Sequence, residues 1–129
     1  MINFEYDLGV VGLGYVGLPL AVESANAGLK VMGYDVNPER VQEINSGKSP
    51  IEDISDNELS KASNSFTASD DPALLSKCQH IVISVPTPLT DYQPDLSYVE
   101  AAAKSVGENL VSNQVIILES TTYPGTTLE

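Results

Sequence analysis

Val10-Val11-Gly12-Leu13-Gly14-Tyr15-Val16-Gly17-Leu18-Pro19 joins an apolar run to a helix-like run through three glycines spaced G-x-G-x-x-G. A turn that grips a phosphate needs this arrangement. Gly12 lets the chain leave a strand in a tight turn, Gly14 lets backbone approach a pyrophosphate with no Cβ in the way, and Gly17 lets the following helix lie close to the strand. The free N–H groups and positive dipole end of that helix then face the anion. A plain strand-to-helix turn can carry the same glycines, so the flanking residues decide. Asp7-Leu8-Gly9-Val10-Val11 reads as a short buried strand. Tyr15 to Ala27 reads as a helix that starts near Tyr15 or Val16, because Pro19 is tolerated only in an opening turn. Leu18, Ala21, Val22 and Ala25 share its apolar face, and Gly28 is placed to cap it. The next apolar run, Leu29 to Tyr34, ends on Asp35, about 20 residues beyond the glycines, where a ribose-binding carboxylate belongs. The three features together predict a dinucleotide site.

Length and composition bound what such a site can belong to. The 129 residues fit one domain, residues 1–129, long enough to bury a core but small for a complete dinucleotide enzyme. With 42% hydrophobic and 19% charged residues the composition is that of a soluble globular protein. No apolar run has bilayer length, and Met1-Ile2-Asn3-Phe4-Glu5 lacks a basic, then apolar leader, so the expected location is cytoplasmic. Six basic against eighteen acidic residues give a net charge of −12, which argues against nucleic acid and against anionic membrane surfaces as partners. A dinucleotide stays compatible with that charge, since its pyrophosphate is held mainly by backbone N–H groups. The lone Cys78 excludes an internal disulfide and fits a reducing compartment.

The rest of the chain keeps an α/β rhythm. Asn37-Pro38 supplies an N-cap and a first-turn proline for a helix through Ile44. Asp35 favours NAD over NADP, because its carboxylate can accept both ribose hydroxyls but would face the charge of a 2′-phosphate. Arg40, one turn into that helix, either lies beside the same ribose or the adenine face, or is a solvated helix arginine. Residues 45–64 are polar, with one short helical stretch from Asp56 to Ala62. Ser65 to Ser69 is a third strand by position, and Asp70-Asp71-Pro72 opens a short helix to Lys77. Cys78 and His80, just before the next strand, are too few to ligate a metal and are read as structural; no metal is expected. His80 to Val85 is a β-branched run typical of a parallel strand buried on both faces. Thr87, in the stiff Pro86-Thr87-Pro88 loop at its carboxyl end, is a ligand-contact candidate. Ser97 and Glu100 form a capping box for a helix to about Leu110, Gln114 to Leu118 is a fifth strand, and its hydroxyl-rich exit, Glu119 to Thr126, suits a binding mouth. The expected fold is therefore a Rossmann-type, doubly wound α/β domain with a mainly parallel sheet, and it looks truncated inside its next helix.

These residues together resemble the N-terminal NAD-binding domain of the UDP-glucose/GDP-mannose dehydrogenase family, over essentially the whole chain. The resemblance is carried by Gly12 to Pro19, Tyr34-Asp35 with Arg40, Ile44 to Ile51, Val85-Pro86-Thr87-Pro88, Pro94 to Val99 and Glu119 to Thr127. The last block is most similar to members acting on UDP-N-acetylhexosamines, UDP-N-acetylglucosamine 6-dehydrogenases above all. The resemblance implies an NAD-dependent, two-step oxidation of a sugar C6 alcohol to the uronate with two NAD, by a homo-oligomer as full-length enzyme. It implies that Tyr15 and Val16 meet the pyrophosphate by backbone, Asp35 and Arg40 the adenosine ribose, and Thr87 the nicotinamide-side ribose. Thr121 is implied to place the cofactor and a catalytic water. The family's nucleophilic cysteine and catalytic lysine belong to later segments, so Cys78 is not that nucleophile and the chain alone is expected to be inactive. A stand-alone NAD(H)-sensing module, or a Rossmann-like site for another ligand such as a methyl donor, stays open on the residues.

Overall fold

The structure is a computed structural model that describes residues 4–52, 54–85, 89–90, 93–94 and 97–118. Its strands are β1 (Tyr6–Val11), β2 (Val31–Tyr34), β3 (Phe66–Ser69), β4 (Cys78–Ile83), β5 (Leu89–Thr90), β6 (Gln93–Pro94) and β7 (Val115–Leu118). The helices are α1 (Gly17–Asn26), α2 (Pro38–Asn45), α3 (Asp56–Ala62) and α4 (Ser97–Glu108), with a 3₁₀ helix at Pro72–Lys77. Five strands form one sheet in the order β3-β2-β1-β4-β7, and each pairing in it is parallel. The two-residue strands β5 and β6 make a separate antiparallel ladder in what the sequence presents as plain loop.

β1 lies at the centre because its last four residues, Leu8 to Val11, can be buried on both faces. Val10 packs on one side with Leu18, Ala21 and Val22 of α1 and with Val82 of β4. Val11 packs on the other with Met32, Ile81, Ile83 and, from α4, Ala102 and Val106. Helices thus cover both faces, as the doubly wound expectation requires. After β3 the chain returns across β2 and β1 to lay down β4 on the far side of β1. The carboxyl ends of β1 and β4 are therefore the switch point, from which connections leave toward opposite faces.

Local signals behave as their chemistry dictates. Gly28, at φ 104°, follows α1 and donates to the Ala25 carbonyl at 3.1 Å, while Leu29 reaches back to the Ser24 carbonyl at 3.1 Å. Asn37 accepts from the Glu39 and Arg40 amides at 3.0 and 3.3 Å, with Pro38 at the first helical position. Ser55 and Glu58 close a reciprocal capping box on α3. Asn45 imitates a strand neighbour for β3, donating to the Ala68 carbonyl at 2.8 Å and accepting from the Ala68 amide at 3.0 Å.

Several boundaries differ from the sequence reading. α1 begins at Gly17, with Tyr15 and Val16 in a turn, although Leu18 already donates to the Gly14 carbonyl at 3.1 Å. The short helix before β4, Pro72–Lys77, is where the sequence reading puts it and is a 3₁₀ helix. β4 starts at Cys78 and ends at Ile83, because Tyr6 of β1 pairs as far down as Cys78. α4 begins at Ser97 and stops at Glu108, short of Leu110. β7 pairs with β4 on one side and has no partner on the other among the described residues, and its four apolar residues are each more than a third exposed. Such an edge is sticky toward any extended backbone.

Candidate functional site

The glycine turn is built by exclusion. Gly12 has φ 98°, donates to the Tyr34 carbonyl at 2.8 Å, and a Cβ on it would collide with the Ser84 carbonyl. A Cβ on Gly17 would collide with the Gly12 carbonyl, so α1 rests directly on the turn. Gly17 lies beneath the site as a spacer and is absent from its lining. Leu13 is fully buried, and it finds room only because Gly33 of β2 has no side chain: a Cβ there would meet Leu13 Cδ2 at 2.7 Å and Phe66 Cε1 at 2.8 Å. Leu13 thereby pins the turn to the sheet. The G-x-G-x-x-G spacing gives Leu13 no part of its own; the glycine inside the β2 run is the signal that something bulky lies over it.

Asp35 has a structural part of its own. It is 8% exposed, and its Oδ2 accepts from the Leu13 amide and its Oδ1 from the Asn37 amide, both at 2.9 Å. The carboxylate thus ties the glycine turn to the start of α2. Each oxygen keeps a further lone pair. Arg40 Nη1 stands 3.6 Å from Asp35 Oδ2 and 3.9 Å from where a Cβ on Gly14 would be, which places a cation at the mouth of the turn. Arg40 thus lies at the cleft, within ion-pair distance of Asp35. Tyr15 and Val16 are 70% and 38% exposed at the N-terminal end of α1.

These residues share an open cleft of about 840 Å³. Gly12, Gly14, Tyr15, Val16, Asp35 and Arg40 all line it, and Arg40 is the cationic side chain among its described lining residues. Pro50, Ile51, Ser84, Val85 and Ala101, Ala102 and Ser105 of α4 complete the walls. The volume is in the range of small-molecule and cofactor sites. Thr87 and Thr121, with the rest of the exit from Glu119 to Thr126, lie outside the described residues.

Cys78 and His80 stay away from this cleft. The Cys78 Sγ donates to the Leu74 carbonyl at 3.6 Å, and burial pushes its thiol up to about 12, so it is neither ionised nor accessible as a nucleophile. His80 Nδ1 lies 3.2 Å from the Asp7 carbonyl. Among the described residues no three His, Cys, Asp or Glu side chains converge as a metal site. Nor is any described helix long and apolar enough to cross a membrane.

A glycine turn, a helix N-terminus and an acidic brace gathered at a parallel-sheet switch point define a dinucleotide-binding α/β domain of dehydrogenase type. The chain belongs to the UDP-glucose/GDP-mannose dehydrogenase family: the model of that family's NAD binding domain matches residues 6–129, and NAD is its cofactor. It is 42% identical to a UDP-N-acetyl-D-glucosamine 6-dehydrogenase of Pseudomonas aeruginosa, over 97% of this chain and 29% of that protein. The solved structure of a UDP-D-ManNAc dehydrogenase from Pyrococcus horikoshii superposes with a TM-score of 0.84 at 39% identity, over 93% of this chain and 29% of that one. A ternary complex of GDP-mannose dehydrogenase from Pseudomonas aeruginosa gives the same TM-score at 28% identity, again over 93% and 29%. The chain thus spans a little under a third of the length of these relatives.

Proposed function

We propose that the chain is the NAD-holding part, residues 1–129, of a UDP-sugar 6-dehydrogenase that takes a UDP-N-acetylhexosamine to its uronate with two NAD. The observation that carries the cofactor half is the cleft lined by Gly12, Gly14, Tyr15, Val16, Asp35 and Arg40, in which a Cβ on Gly14 would meet nothing of the protein nearer than Arg40 Nη1 at 3.9 Å. The substrate half rests on the likeness to relatives named for UDP-N-acetyl-D-glucosamine and UDP-N-acetyl-D-mannosamine. In this reading the backbone from Gly12 to Val16 and the N-terminus of α1 hold the pyrophosphate. Asp35 offers its remaining lone pairs to the adenosine ribose, and Arg40 lies over that ribose. Thr87 meets the nicotinamide-side ribose, and Thr121 helps to place the cofactor and a water. When bound, NAD supplies the hydride acceptor. The nucleophile and general base come from other parts of a longer, homo-oligomeric enzyme, and the work takes place in the cytoplasm, which suits the lone thiol.

Calorimetric titration of the chain should show NAD binding and at least roughly tenfold weaker binding of NADP, since Asp35 faces the 2′ position. With NAD and UDP-N-acetylglucosamine together, the chain alone should yield no uronate. Absence of NAD binding would refute the cofactor assignment. Uronate formation would refute the division of labour.

A further inference from the structure

Ser84 ends the run of β4 with its main chain fixed on both sides. Its amide donates to the Val11 carbonyl at 2.7 Å, and its own carbonyl occupies the space that a Cβ on Gly12 would need. The residue is 6% exposed and lines the cleft, yet its hydroxyl has no hydrogen-bond partner among the described residues. Buried hydroxyls are nearly always paired, so an unpaired one beside a cleft points to a partner that arrives with the ligand. Its direction follows from strand alternation. Ile81 and Ile83 pack with Ala102 and Val106, whereas Val82 packs with Leu18 and Val22. Ser84, two residues beyond Val82, falls on the α1 side, from which the N-terminus of α1 faces the cleft.

We propose that the Ser84 hydroxyl is a further cofactor contact, donating to a phosphate or ribose oxygen in the nicotinamide half of the dinucleotide. The assignment rests on the cofactor reading of the cleft. Asp35 at the end of β2 marks the adenosine ribose and the turn after β1 marks the pyrophosphate. β4 lies on the opposite side of β1 from β2, so a dinucleotide laid from Asp35 across the turn brings its second half to Ser84.

Titrations of wild-type chain, Ser84→Ala and Asp35→Ala with NAD, ADP-ribose and AMP separate this from the site as a whole. Ser84→Ala should weaken NAD and ADP-ribose roughly tenfold, the worth of one hydrogen bond, and leave AMP unchanged. Asp35→Ala should weaken all three. The ligand-free thermal midpoint of Ser84→Ala should equal or exceed that of the wild type. Unchanged NAD affinity in Ser84→Ala beside a loss in Asp35→Ala would overturn the Ser84 contact and keep the site. An equal loss for AMP, or a lowered ligand-free midpoint, would show that the hydroxyl acts elsewhere or already has a structural partner, and would also overturn it. A wild-type chain that binds no NAD removes both.

Discussion

Gly17→Ala is expected to destabilise the chain by about 3 kcal/mol and to abolish measurable NAD binding. The added carbon would land on the Gly12 carbonyl, with Val10 Cγ1 only 3.2 Å away. Neither neighbour is the free end of a flexible side chain. Room can be made only by lifting α1 off β1, which loosens Leu18, Ala21 and Val22 from the core they share with Val10. The same lift would swing the helix N-terminus away from the proposed pyrophosphate position, so stability and affinity should fall together. Denaturant unfolding and calorimetry measure the two. Gly107→Ala is the matched control, since no heavy atom lies within 4 Å of a Cβ there. Wild-type behaviour in Gly17→Ala would mean that α1 can shift without cost and that the close approach is not what holds the site.

Asp35→Ala should lose about 1–3 kcal/mol of NAD affinity, the range for leaving ribose hydroxyls without an acceptor. The structure adds a second loss. Removing the carboxylate also strands the Leu13 and Asn37 amides, which it holds at 2.9 Å each, at a cost to folding of about 1–3 kcal/mol. Arg40 loses its counter-ion in the same step. Asp35→Asn divides the effects, because an amide oxygen can still accept from one of the two amides while its NH₂ cannot serve the other. Its stability should lie between wild type and Asp35→Ala. If Asp35→Ala binds NAD as tightly as wild type, the ribose role is wrong; if it also unfolds like wild type, so is the brace.

Much of this architecture is written locally. The apolar face of α1, the Gly28 cap and the Asn37-Pro38 start of α2 each depend on residues within a few positions and occur where the spacing puts them, and the β-branched run of β4 is a strand with its bounds displaced by two residues. The turn and Asp35 are legible as ligand chemistry for the same reason. What stays hidden depends on register between distant strands. Asp35 becomes a brace only because Leu13, far back in the chain, is brought beside it, and Leu13 is a core residue only because Gly33 is set under it. Cys78 belongs to β4 because Tyr6 pairs with it, although Cys78-Gln79-His80 has no strand pattern of its own. Ser84 looks like one more residue in an apolar run until the Gly12 turn is laid against it. Pro50 and Ile51 come from a polar stretch whose Ile44 to Ile51 block carries part of the family resemblance but assigns them no contact, and the fold brings them to the cleft.

The position of β1 also sets an order of assembly. Gly9 pairs with Met32 on one side and with Ile81 on the other, so one flank of the same strand closes a short loop and the other a much longer one. Loop-closure entropy and contact order favour β1, α1 and β2 as the unit that forms first, leaving β4 to dock later. The Gly12 turn acquires its second wall only with that docking, when the Ser84 carbonyl closes over it. In the proposed reading a dinucleotide spans this joint and binds the closed state in preference to the open one. It therefore draws the last folding step to completion by mass action, as a latch across the seam where the two halves of the sheet meet.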